Sequence, residues 1–121
     1  MTFPAPSIDS YALVTGASQG IGEAIARDLA SAGYNLILVA RREDVLMQLA
    51  GALTTRHGVN CEVFAADLSK ERDVTALLEH IHSRTVTICV NSAGIASFGP
   101  FMKADWDYEV NQYNLNATAV F

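Results

Sequence analysis

Thr15-Gly16-Ala17-Ser18-Gln19-Gly20-Ile21-Gly22 joins two stretches of different periodicity, and that junction decides the fold. Before it, Tyr11–Thr15 is a short apolar run of strand type. After it, Ile21, Ile25, Leu29 and Ala32 recur every three to four residues, the stripe of an amphipathic helix, and Gly33 is placed to cap its end. Within the junction each glycine has a separate use. Gly16 permits a tight turn, Gly20 lets the backbone come close to a pyrophosphate, and Gly22 allows the helix to pack closely. Ser18, Gln19 and Ile21 stand beside them, and the first two can donate side-chain hydrogen bonds to phosphate. The helix N-terminus adds free amides and the positive end of its dipole. A P-loop is excluded, because no Gly-Lys-Ser or Gly-Lys-Thr is present.

Outward from this loop, strand and helix patterns alternate. Asn35–Ala40 is continuously apolar, as expected of a parallel strand buried on both faces. Glu43 to about Arg56 reads as a helix with Leu46, Leu49 and Leu53 inward, and Gly58 and Asn60 break it. Cys61–Ala66 is a third strand with Asp67 and Leu68 at its C-terminal end. Ser69 is placed to cap a third helix that carries Val74, Leu77 or Leu78, and Ile81. Thr85–Val90 is a β-branched fourth strand whose apolar character fits burial between neighbours. Asn91–Ala104 is a loop, and Asp105 opens a fourth helix with Trp106, Val110, Tyr113 and Ala117 on one face. Met1–Ser10 reads as a flexible arm broken by Pro4 and Pro6, with residues 11–121 forming a partial nucleotide-binding domain. The fold expected is an α/β, Rossmann-type doubly wound parallel sheet, truncated after the fourth strand and the helix that follows.

The end of the second strand speaks to ligand choice. An acidic residue there holds the ribose hydroxyls of NAD. This chain has Arg41 and Arg42 instead, and guanidinium groups suit a ribose 2′-phosphate, with Arg41 the nearer of the two to the strand. Glu43 and Asp44 come too late and fall in the first helical turn. The expectation is NADP(H), with NAD(H) second. The same arginine argues against a methyltransferase, which would place an acid there.

Composition narrows the classes further. A 121-residue chain that is 50% hydrophobic can build one small core, and a formal charge of -5 lacks the basic footprint of a nucleic-acid binder. No apolar run reaches a membrane span, and the N-terminus has no signal-peptide pattern, so a cytoplasmic protein is expected. Cys61 and Cys89 form no CxxC pair and read as buried thiols. His57, His80 and His82 have no metal-ligand spacing, and no metal site is assigned.

Taken together, these motifs resemble the short-chain dehydrogenase/reductase family over residues 9–121. Thr15, Gly16, Gly20, Ile21 and Gly22 match its T-G-x-x-x-G-I-G motif, and Asp67-Leu68 matches the pair that contacts adenine. Asn91-Ser92-Ala93-Gly94 matches N-N-A-G with Ser92 in place of the second asparagine. The resemblance implies a strand order 3-2-1-4 continuing to further strands, and an Asn-Ser-Tyr-Lys tetrad. Asn111, Asn114 and Asn116 are candidates for the asparagine. The family's apolar-Asn pair, about 22 residues past the last glycine of the N-A-G turn, selects Asn116 after Leu115. None of the four tyrosines has a lysine four positions on, so the serine and the Tyr-x-x-x-Lys pair are expected downstream, and this stretch alone is expected to be inactive. The implied reaction is carbonyl–alcohol interconversion by hydride transfer on a small molecule, by a protein that forms dimers or tetramers. The competing reading is a non-catalytic dinucleotide-binding or sensor protein of the same fold.

Overall fold

The computed structural model describes residues 5–92. Along them run β1 (Ser10–Thr15), α1 (Gly20–Ser31), β2 (Asn35–Ala40), α2 (Glu43–His57), β3 (Cys61–Ala65), α3 (Glu71–Ile81) and β4 (Thr85–Asn91). The alternation matches the sequence pattern, with strand and helix ends displaced by a residue or two. The expected fourth helix lies outside the described residues.

All strand pairings are parallel, and the order is β3-β2-β1-β4. The chain steps outward from β1 to β2 to β3. It then returns to lay β4 on the other side of β1. The reversal opens a crevice beyond the C-terminal ends of β1 and its neighbours, where open α/β sheets bind ligands.

β2 is buried along its whole length, with Leu36, Ile37, Leu38 and Val39 fully inaccessible. Each such side chain stabilises the fold by roughly 1.5–3 kcal/mol. Strand side chains alternate between faces, so the core divides in two. Leu36 and Leu38 join Ala12 and Val14 under α1 and α2, against Ala26, Ala30, Leu46, Leu49 and Leu53. Ile37 and Val39 join Leu13 beneath α3, against Leu77, with Val74 and Ile81 partly buried beside it. The sheet is covered on both faces, and Leu77 is the inward leucine while Leu78 is exposed.

Three expectations are corrected. The inward face of α1 is Gly22, Ala26 and Ala30, whereas Ile21 is 74% exposed. The cause is close approach: a Cβ at position 22 would lie 2.2 Å from the Gly16 carbonyl oxygen, so only glycine can face inward there, and Ile21 is turned out. Ser69 does not cap α3; Lys70 occupies the N-cap, and the Ser69 hydroxyl donates to Asp67 Oδ1 at 2.6 Å. Neither cysteine is fully buried, Cys61 being half-buried and Cys89 exposed, because β3 and β4 are the edges of the described sheet.

β4 stands at an edge of the described sheet, and it alternates exposed Thr85, Thr87, Cys89 and Asn91 with half-buried Val86, Ile88 and Val90. A register shift against β1 falls between Tyr11 and Ala12, so Val86 packs with the α3 cluster while Ile88 and Val90 pack on the α1–α2 side.

Two local devices fix the ends of elements. At the end of α1, Gly33 N–H donates to Ala30 O (3.0 Å) and Tyr34 N–H to Leu29 O (3.1 Å), with Gly33 at φ 97°. This is a Schellman closure, and Gly33 ends the helix as its sequence position suggests. At the start of β2, the buried Asn35 amide donates to Ser7 O, Ile8 O and Ser10 O, and its oxygen accepts Asn60 N–H at 3.0 Å. One side chain thus ties the segment before β1 to the turn before β3.

Candidate cofactor cleft

The crevice at the switch point is a cleft of about 790 Å³. The loop after β1 supplies Gly16, Ser18, Gln19, Gly20 and Ile21 to its wall. The end of β2 supplies Val39, Ala40, Arg41 and Arg42, the end of β3 supplies Ala66, Asp67 and Leu68, and Ser92 follows β4. The glycine loop, the arginine pair and the Asp67-Leu68 pair, far apart in sequence, therefore face one space.

Their placement follows from the strands that carry them. Ala17 N–H donates to Val39 O at 3.3 Å, which holds the glycine loop against the end of β2. α1 begins at Gly20, and its N-cap residue Gln19 makes no side-chain capping bond. The first-turn amides are thus not occupied by a cap, and the dipole places partial positive charge at this end. Gly16 and Gly20 have positive φ values of 66° and 63°, which the sharp loop requires.

Gly22 and Asn91 are not among the wall residues. Gly22 stands behind the loop, packed on Gly16. Asn91 ends β4 opposite Thr15, and Cys89 Sγ donates to its Oδ1 at 3.8 Å. Ala93, Gly94 and Asn116 lie outside the described residues. The sequence reading missed Val39, Ala40, Ala66 and Ser92 as wall residues. The first three could have been found from the rule that parallel sheets bind at strand C-terminal ends. Ser92 is drawn in by its N–H, which donates to Thr15 Oγ1 at 3.1 Å, while that hydroxyl donates to Val90 O at 3.3 Å.

The electrostatics are divided. Arg41 and Arg42 are exposed, and among the described residues neither forms an ion pair within 4 Å. Asp67 lies across from them. Burial pushes its carboxyl up, but hydrogen bonds from the Ser69 hydroxyl and N–H, with the positive fields of Arg41 and Lys70, outweigh this and hold it below its ordinary value. It is an anion at neutral pH, tied into its own loop. Among the described residues no group of three or more His, Cys, Asp or Glu is placed to hold a metal, and no helix is long and apolar enough to cross a membrane.

A parallel sheet wound on both faces, with a glycine-rich loop feeding a helix N-terminus at the switch point, defines a nucleotide-binding class. Comparison narrows the class to a family. The short chain dehydrogenase family matches residues 10–121, and the chain belongs to that family. It is 34% identical over 92 residues to a very-long-chain 3-oxoacyl-CoA reductase of Anas platyrhynchos, covering 75% of this chain and 30% of that protein. It is 36% identical over 86 residues to the inactive hydroxysteroid dehydrogenase-like protein 1 of Homo sapiens, covering 70% of this chain and 26% of that protein. Among solved structures, a short-chain dehydrogenase from Sphingobium yanoikuyae in complex with NADPH superposes with a TM-score of 0.85 at 34% identity, over 92% of this chain and 44% of that one. The chain therefore spans about a third or less of these two curated relatives and under half of that solved structure.

Proposed function

We propose that this chain is the cofactor-binding part of an NADP(H)-dependent oxidoreductase that interconverts a carbonyl and an alcohol on a small molecule. The observation that carries the reading is the convergence on one cleft at the switch point of a helix N-terminus without a side-chain cap, a glycine loop, and two guanidinium groups that form no ion pair among the described residues. The donor set fits the cofactor. The first-turn amides of α1, with Ser18 and Gln19, would hold the pyrophosphate. Arg41, with Arg42 beside it, would hold the ribose 2′-phosphate, where an acid would repel it. Asp67 and Leu68 would border the adenine, with Ala66 as an apolar floor. Asn91, Ala93 and Gly94 would brace the turn behind the cofactor. The nicotinamide, when bound, supplies the hydride donor or acceptor. Asn116 is the group of this chain proposed to touch the reaction, its main-chain carbonyl holding a water in the proton relay.

The test is titration of the chain with NADPH and NADH. NADPH is expected to bind more tightly, and Arg41→Ala to reduce the preference for NADPH by roughly 10- to 100-fold, the value of charge-assisted hydrogen bonds to one phosphate. Equal affinity for the two cofactors in the unsubstituted chain would overturn the arginine reading.

A second reading, a dinucleotide-binding protein without turnover, is favoured by one observation: a relative at 36% identity is named inactive. Both readings require cofactor binding. Reduction of a ketone by the whole protein with NADPH supports the first reading, and a folded whole protein that binds NADPH without turning over any ketone supports the second.

A further inference from the structure

The cleft wall at the end of β3 is held in place from outside the cleft. Ala66 N–H donates to Ala40 O at 2.9 Å, continuing the β2–β3 pattern one residue past the strand. Asp67 is the next residue, and its N–H has no strand carbonyl to meet. It donates instead to Oδ2 of Asp73 at 2.7 Å, across the loop and into the first turn of α3. Asp73 is anchored there in turn, its own N–H donating to Lys70 O at 3.1 Å. Within the loop, Asp67 Oδ1 accepts both the hydroxyl and the N–H of Ser69, and Lys70 N–H donates to Asp67 O at 3.0 Å. The chain leaving β3 is thus fixed backward by a helix carboxylate and forward by its own loop. Leu68, between the two clamps, is 8% exposed and forms part of the cleft wall.

We infer that Asp73, which is not itself a wall residue, is a positioning residue for the base-binding side of the cofactor cleft. The inference rests on the functional reading above. The phosphate-holding end of the cleft is the N-terminus of α1. The wall made by Leu68, Ala66 and Val39 flanks the arginine pair and is apolar, the surface a purine ring stacks on. Asp73 places that wall by accepting the Asp67 N–H, and what it determines is affinity for the adenosine portion of the ligand. A carboxylate serves because it is an acceptor of the right length on the first turn of a helix, where its charge also suits the dipole.

The test compares Asp73→Ala, Asp73→Asn and the unsubstituted chain, using 2′,5′-ADP and NADPH as probes at a temperature where circular dichroism shows all three folded. Asp73→Ala is expected to weaken both probes by the same factor, about tenfold, the scale of one charge-assisted hydrogen bond. Asp73→Asn keeps an oxygen acceptor and is expected to restore binding to within about threefold. Amide exchange supplies a second measurement should the alanine variant not fold: in the unsubstituted chain the Asp67 N–H is expected to exchange slowly without ligand. Equal binding by Asp73→Ala and the unsubstituted chain overturns the inference. So does an asparagine variant as weak as the alanine variant, or rapid exchange at Asp67. An unsubstituted chain that binds neither probe overturns the functional reading first, and this inference with it.

Discussion

Gly22 lies in the first turn of α1 and Gly51 in the middle of α2, yet alanine at the two helical positions is expected to act in opposite directions. Alanine normally stabilises a helix by about 1 kcal/mol over glycine. At Gly51 in α2 a Cβ would meet nothing within 4 Å, so Gly51→Ala is expected to gain about 0.5–1 kcal/mol, read as a raised urea midpoint. At Gly22 the same methyl would press to 2.2 Å from a backbone oxygen of the glycine loop. Helix and loop must then separate, and Gly22→Ala is expected to lose roughly 1–3 kcal/mol and most NADPH affinity. The triplet Gly16-Gly20-Gly22 was legible in sequence, and so were the turn at Gly16 and the close packing at Gly22. Which neighbour the third glycine touches was not, because that depends on how steeply α1 crosses the sheet.

At the scale of elements, Asn35 is the joint between three segments. Asn35→Ala leaves the Asn60 N–H and three carbonyls near Ser7–Ser10 without their side-chain partner. The expected cost is about 2 kcal/mol in a denaturant melt, the scale of losing partly buried hydrogen bonds. A second joint ties β3 to the connection between α3 and β4. Arg84 Nε donates to both carboxylate oxygens of Glu62 at 2.9 and 2.8 Å, and its Nη2 also bonds Oε1. The Arg84 hydrogen bonds are the main cause holding the Glu62 carboxyl below its ordinary value, against a smaller upward push from burial. A carboxyl depressed in the folded state contributes stability that is present above its unfolded pKa, near 4.3. That contribution is lost as pH falls through the lower folded value. Asp67, also depressed, acts in the same direction. The urea midpoint is therefore expected to fall as pH is taken from about 6 toward 3. Glu62→Gln is expected to be less stable than the unsubstituted chain at pH 6, with the gap closing in acid. A gap independent of pH would overturn the assignment. Helix and strand identities were readable from periodicity, whereas these joints were not, since Asn35 to Asn60 and Glu62 to Arg84 have no local sequence signature.

Over the whole molecule, the site exists because the sheet order reverses. β2 and β4 flank β1, and the loop after β1 opens between strands that the chain reaches in opposite directions. A ligand bound there touches the ends of several strands at once, so binding should be coupled to global stability. At 100 times its Kd, NADPH is expected to add about 2.7 kcal/mol to unfolding, seen as a raised melting temperature, with NADH adding less at equal concentration. Sequence alone determined the order of elements, the parallel sheet and the residues of the glycine loop and strand ends. These are local properties: apolar spacing, glycine where φ is positive, charge where a strand stops. Only the tertiary structure decided that Ile21 faces out, that Ser92 joins the wall while Asn91 does not, that Ser69 turns back to Asp67, and that Asp73 accepts the Asp67 N–H. Those outcomes depend on which face of an element meets its neighbour and how closely. Packing fixes such relations between residues that the chain itself keeps apart.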